Sequence, residues 1–155
     1  MECTVSRLGG AGHAGSENTG CTPAAMCAAV AALWGAVARQ DAETMRCFFA
    51  PHAAVLWHNS GEYFDLEDYL RANCEYPGDW RGQAERVESL GPDTVVAVAR
   101  VWLADGSAAF HAVGFYRFEA GRIVRADEYW GDDGPPPAWR KEKGLGRPIR
   151  PEDLV

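Results

Sequence analysis

Three residues of this chain have the types that proton transfer on a small molecule requires: Arg100, His111 and Glu128. Glu128 stands in Arg122–Trp130, a run that reads as a strand, so Ala126, Glu128 and Trp130 share one face. Arg100 shares a face of Thr94–Leu103 with Val96, Val98 and Trp102, and His111 shares one of Ser107–Phe118 with Ala109, Val113 and Phe115. If these faces line one concavity, the three polar groups converge among Trp57, Trp102, Phe115 and Trp130. A few polar groups in an aromatic cup are the ingredients of a small-molecule site. There Glu128 would act as acid or base, its pKa raised by the apolar surround, and His111 or Arg100 would stabilise an enolate-like oxygen. The competing arrangement is a structural Glu128–Arg100 ion pair, which would lower that pKa instead. Trp57, His58, Trp102, Phe115 and Trp130 are the expected ligand contacts, with His58 placed either in the pocket or at the surface end of its strand.

Other chemistries find less support. His13, His52, His58 and His111 show no metal-ligand spacing, so no metal is expected. Gly144-x-Gly146 lacks the strand and helix of a phosphate loop, and no cofactor is expected. The five cysteines are an odd, irregularly spaced set without a Cys-x-x-Cys pair, which favours reduced thiols over a disulfide scaffold.

The elements that must position these residues can be read in order. Residues 1–22 are rich in glycine and small polar residues and read as a flexible leader. Thr22 and Pro23 open a helix whose apolar stripe is Met26, Val30, Leu33, Trp34 and Val37. Asp41 caps a second helix carrying Met45, Phe48 and Phe49, stopped by Pro51. Ala53–His58 reads as a buried strand, Asn59–Gly61 as a turn, and Asp65 as the cap of a helix over Leu66–Cys74. Four strands follow, over Arg81–Leu90, Thr94–Leu103, Ser107–Phe118 and Arg122–Trp130. Helices followed by a meander imply an α+β fold, a curved mixed or antiparallel sheet wrapping the long helix. The domain would span 23–133, with a Pro-rich extended tail over 134–155.

This order, with the words DAETMRCFFAP from Asp41, AVLWH from Ala54 and GRIVRADEYW from Gly121, resembles the SnoaL-like branch of the nuclear transport factor 2-like superfamily over about residues 24–132. The resemblance implies a cone-shaped half-barrel with a deep apolar pocket, and a homodimer joined through the outer sheet face. It places Glu128 where SnoaL-type polyketide cyclases carry an acidic acid/base, and His111 where ketosteroid isomerases hold a protonated aspartic acid. It also implies departures. The isomerase tyrosine and general base fall on Leu33 and Trp57, neither of which can do that work. Of the limonene epoxide hydrolase triad, Arg100 and Glu128 have counterparts, but Trp102 stands where an aspartate is needed.

Composition narrows the functional classes. The chain of 155 residues carries 22 acidic and 15 basic side chains, a net charge of −7, so a nucleic-acid partner is disfavoured. The basic tail residues Arg140, Lys141, Lys143, Arg147 and Arg150 lack interleaved stacking residues and read as a solvated extension. No run is long and apolar enough to span a membrane, and no signal-peptide pattern is visible, so the cytoplasm is the expected location. The expected function is that of a pocket protein for a hydrophobic molecule. That is either a cofactor-independent isomerase or cyclase acting on a carbonyl compound, or a binding module or dimeric adaptor without chemistry.

Overall fold

The computed structural model describes residues 21–154, so the leader expected over 1–22 lies almost wholly outside the described residues. Thr22 Oγ1 accepts a hydrogen bond from Ala25 N, and Pro23 follows at the first helical position. The helix so opened, α1 (Pro23–Ala38), buries the whole predicted stripe of Met26, Val30, Leu33, Trp34 and Val37. It ends where Gln40 adopts a left-handed φ of 53°. The Gln40 Nε2 then donates to the carbonyls of Asn73 (2.9 Å) and Tyr76 (2.7 Å), tying the end of α1 to the segment after the third helix.

Asp41 and Asp65 cap the next two helices, α2 (Ala42–Arg46) and α3 (Leu66–Cys74), by accepting from Thr44 N and Asp68 N. Helix α2 is shorter than its sequence suggests, because Phe49 belongs to the first strand, β1 (Phe49–Trp57). A short second strand, β2 (Glu62–Asp65), follows the turn, where no strand is expected from the sequence. The remaining strands are β3 (Trp80–Ser89), β4 (Thr94–Leu103), β5 (Ala109–Glu119) and β6 (Arg122–Asp132). Past residue 134 the chain forms a short helix, α4 (Ala138–Glu142), and a 3-10 turn over Pro151–Leu154, so the tail is not wholly extended.

The six strands form one sheet in the order β2-β1-β6-β5-β4-β3. All neighbours are antiparallel except β1 and β6, which run parallel and bring Trp57 beside Glu128. Helix α1 lies against β3 and β4 inside the curved sheet, and α3 covers β1 and β2. The architecture is α+β, a curved unclosed sheet around a long helix, as expected.

The phase of the strand faces is where the structure departs from the sequence reading. On β4 the buried residues are Val95, Ala97, Ala99 and Val101, and on β5 they are Ala112, Gly114, Tyr116 and Phe118. Arg100, Trp102, His111 and Phe115 therefore point to the outer face, away from the helix. The reason is volume: α1 fills the concave side, and only small residues at alternate positions leave room for Trp34 and Tyr116. Among the described cysteines, Cys21, Cys27 and Cys74 are free thiols. Among the described residues, no helix is long and apolar enough to cross a membrane.

Candidate functional site

Among the described residues, Glu128 is the one charged residue in the buried core, with no exposed surface. Register explains its position. Glu128 pairs with Gly114 on β5 and with Trp57 on β1, and its side chain points inward between them. Its Oε2 accepts from the indole N–H of Trp57 (2.8 Å) and of Trp130 (3.2 Å). Its Oε1 accepts from the hydroxyls of Tyr69 and Tyr116, each at 3.1 Å. Four donors thus fill the roughly four acceptor positions of a carboxylate. No cation joins them among the described residues.

The protonation chemistry of the cluster follows from the donor types. Burial pushes the Glu128 pKa above its ordinary value of 4.5, and the bonds from Trp57, Tyr116, Trp130 and Tyr69 oppose that without cancelling it. Burial, reinforced by the Glu128 charge, holds the Tyr69 and Tyr116 hydroxyls well above 10.0, so both remain donors. An indole N–H can only donate, hence Oε2 must act as an acceptor in either protonation state. A proton on Glu128 would reside on Oε1 and be shared with a tyrosine oxygen.

Trp57 and Trp130 are also the wall of a cavity of about 510 Å³ at the open end of the cone. Their rings lie 5.9 Å apart, edge to face, and Trp34 supports Trp130 at 5.7 Å while Phe64 supports Trp57 at 4.7 Å. Tyr76, Trp80 and Phe110 complete the aromatic lining. Trp80 sits 5.5 Å from Tyr76 and 5.8 Å from Phe110. Polar groups at the cavity come from Gln40, Asn59, Ser60, Glu62, Asn73 and Asp132. Asn59 Oδ1 is engaged by Trp130 N at 2.7 Å. Glu128 itself does not line the cavity, because the two indoles stand in front of it.

Of the residues chosen from sequence, the structure brings together Glu128, Trp57 and Trp130. The remaining five lie elsewhere. Arg100 does not pair with Glu128; its Nε donates to Asp133 at 2.9 Å on the outer face, and its guanidinium lies 5.3 Å from the Trp102 ring. His111 is beside it, bonded through Nδ1 to the same Asp133 and facing Glu85 through Nε2 at 3.2 Å. Asp133 is raised by burial but held below 3.8 overall by Arg100 and His111. His58 also turns outward, onto Asp127 at 2.7 Å, with its ring stacked on Tyr129. Phe115 is exposed and packs edge-on to Tyr129. The expected convergence of Arg100, His111 and Glu128, and the pocket placement of His58, Trp102 and Phe115, are thereby corrected.

Sequence reasoning missed both Tyr69 and Tyr116 as partners of Glu128. A signal was available: Ala97, Ala99, Ala112 and Gly114 alternate as small residues, which marks the face against which bulk is packed. At Gly114 the need is direct, since a Cβ there would lie 2.3 Å from the Tyr116 oxygen. Among the described residues, no group of acidic, histidine and cysteine side chains could hold a metal ion.

No family model matches the sequence, and no curated protein matches it either. Solved structures do match. A Kribbella flavida protein assigned as a ketosteroid isomerase aligns over 84% of this chain and 93% of its own, with a TM-score of 0.68 and 23% identity. A nuclear transport factor 2-like protein of unknown function from Burkholderia xenovorans aligns over 82% and 97%, with a TM-score of 0.66 and 19% identity. The chain has the nuclear transport factor 2-like fold. A Jannaschia protein assigned as a SnoaL-like polyketide cyclase shares this fold over 70% of this chain and 87% of its own, at a TM-score of 0.59 and 17% identity. The nuclear transport factor 2-like cone thus frames both the cavity and the buried carboxylate.

Two outcomes test the cluster. In Gly114→Ala the new methyl must displace the Tyr116 ring, and thermal or denaturant unfolding should show a loss of about 1–3 kcal/mol. The pH dependence has a definite sign. Because the folded Glu128 pKa lies above the unfolded value, the folded state binds more protons between the two, and stability falls as pH rises through that window. Glu128→Gln lacks this dependence, so its stability relative to wild type should improve as pH increases above 4.5. Gln can also turn Oε1 to the indoles and Nε2 to the hydroxyls. Glu128→Leu strands all four donors and should be far more damaging in the same unfolding assay.

Proposed function

We propose that this protein binds a hydrophobic, ring-sized small molecule in the aromatic cavity above Glu128. The observation that carries the reading is the cavity itself. About 510 Å³ lies within the ~300–1,000 Å³ range of small-molecule sites, and its walls are Trp57, Tyr76, Trp80, Phe110 and Trp130. Glu128 is a positioning residue in this account, holding two of those walls by their indole N–H groups.

A second reading, cofactor-independent proton transfer of the isomerase or cyclase type on a carbonyl compound, draws on the burial-raised pKa of Glu128. Against it, both lone-pair positions of Oε2 are taken by indoles, and the site of protonation is Oε1 on the tyrosine side. Chemistry at Glu128 therefore requires Trp57 or Trp130 to swing aside. The outer sheet face supports a homodimer, since Val96, Val98, Val113, Phe115 and Tyr129 leave an apolar strip there between charged clusters.

The neutral fluorophore N-phenyl-1-naphthylamine should bind wild type with enhanced emission, and Ala72→Phe, which projects a ring into the cavity, should abolish binding while the unfolding midpoint holds. Equal binding by the variant would place the ligand elsewhere. Exchange of the α-protons of 2-tetralone in D2O, compared between wild type and Glu128→Gln, tests the second reading: equal rates remove Glu128 from any mechanism. Phe115→Lys should convert a dimer to a monomer in sedimentation equilibrium, and an unchanged mass would move the interface off this face.

A further inference from the structure

The chemical class of the ligand can be narrowed from the charges around the cavity. Among the described residues, none lining it is lysine, arginine or histidine, whereas Glu62 and Asp132 both line it. Neither carboxylate takes part in an ion pair among the described residues, whereas Asp79, Glu88, Asp127 and Asp133 each have a cationic partner. Arg39 and Arg81 line an adjoining depression that shares Ala38, Gln40 and Trp80 with the cavity, and Arg81 is held there by Asp79. Behind the wall, Glu128 Oε2 is an obligate acceptor facing Trp57 and Trp130. An indole that donates to such an acceptor has its ring made more electron-rich, which deepens the negative potential over its face.

Five aromatic rings, two unpaired rim carboxylates and no lining cation are poor surroundings for an anion. They suit a weakly hydrated cation, whose loss of water costs least and whose charge is met by ring faces. We propose that the cavity selects a hydrophobic ammonium ligand, an alkylated amine or quaternary ammonium on a ring-sized body, over its neutral and anionic counterparts. This rests on the reading of the cavity as a small-molecule site. The rim carboxylates supply long-range attraction, the rings supply contact, and Glu128 fixes the rings without touching the ligand.

The test uses three probes of nearly the same shape, namely phenyltrimethylammonium, tert-butylbenzene and 4-tert-butylbenzoate. Each is titrated into the full chain while the indole N–H resonances of Trp57, Trp80 and Trp130 are followed. The ammonium should bind about tenfold more tightly than tert-butylbenzene, and the benzoate more weakly than both. In the double variant Glu62→Gln/Asp132→Asn the ammonium should lose about threefold to tenfold in affinity, with tert-butylbenzene unchanged. Binding of tert-butylbenzene or the benzoate as tightly as the ammonium, with the same resonances shifting, would overturn the cationic preference and leave the small-molecule site standing. Absence of any shift with all three probes would overturn the site itself, and the preference with it.

Discussion

A carboxylate removed from water must find its hydrogen bonds inside the protein, and here the four bonds to Glu128 come from four different elements. Trp57 arrives on β1, Tyr69 on α3, Tyr116 on β5 and Trp130 on β6. Each donor satisfies the charge only if its element lies at the right depth and rotation, so one side chain indexes much of the cone. The geometry is self-consistent in the other direction as well. Tyr116 reaches Glu128 because Gly114 has no Cβ, and Trp130 is held by Trp34 of the central helix. The same bonds fix two indole rings before any ligand arrives, which reduces the ordering cost of binding.

The sheet separates two electrostatic environments. On its outer side, Arg100, His111, Asp133 and Glu85 form one mixed-charge group, and Arg125, Asp127 and His58 another. Asp127 is kept below its ordinary pKa chiefly by Arg125. On its inner side the one core carboxylate has only neutral donors. That partition follows from strand alternation and from the helix occupying the concavity, since long cationic side chains have no space or water there.

Much of the fold was readable from the chain. Capping residues Thr22, Asp41 and Asp65, the 3.6-residue stripe of α1 and the period-two strands all express local physics, and each appears where its signal lies. Strand β2 was not legible, because Glu62–Asp65 is four residues long and mostly exposed, leaving no burial pattern to read. The candidate site was legible only in part. Alternation correctly grouped Glu128 with Trp130 and Arg100 with Trp102, but alternation within a strand does not say which of its faces meets the neighbour's. The bulky set Val96, Val98, Val113 and Phe115 looked like the interior. The interior instead took alanine and glycine, because the helix and Tyr116 supply the bulk there. The residues at the cavity mouth come from six separate segments, and no spacing in the sequence could have gathered them.

The parallel pairing of β1 with β6 also bears on how the protein comes into being. Trp57 and Glu128 are separated by 71 positions in sequence, and every strand from β2 to β5 lies between them. During synthesis the early helices and β1 are finished long before their partner strand leaves the ribosome. Until then the indole of Trp57 has no carboxylate to meet, and the cavity lacks one wall. Contacts of such long sequence separation form late and slow the search for the native state. Competence to bind is thus withheld from every partly made chain, and the last long strand acts as the keystone that turns a collection of hairpins and helices into a receptor.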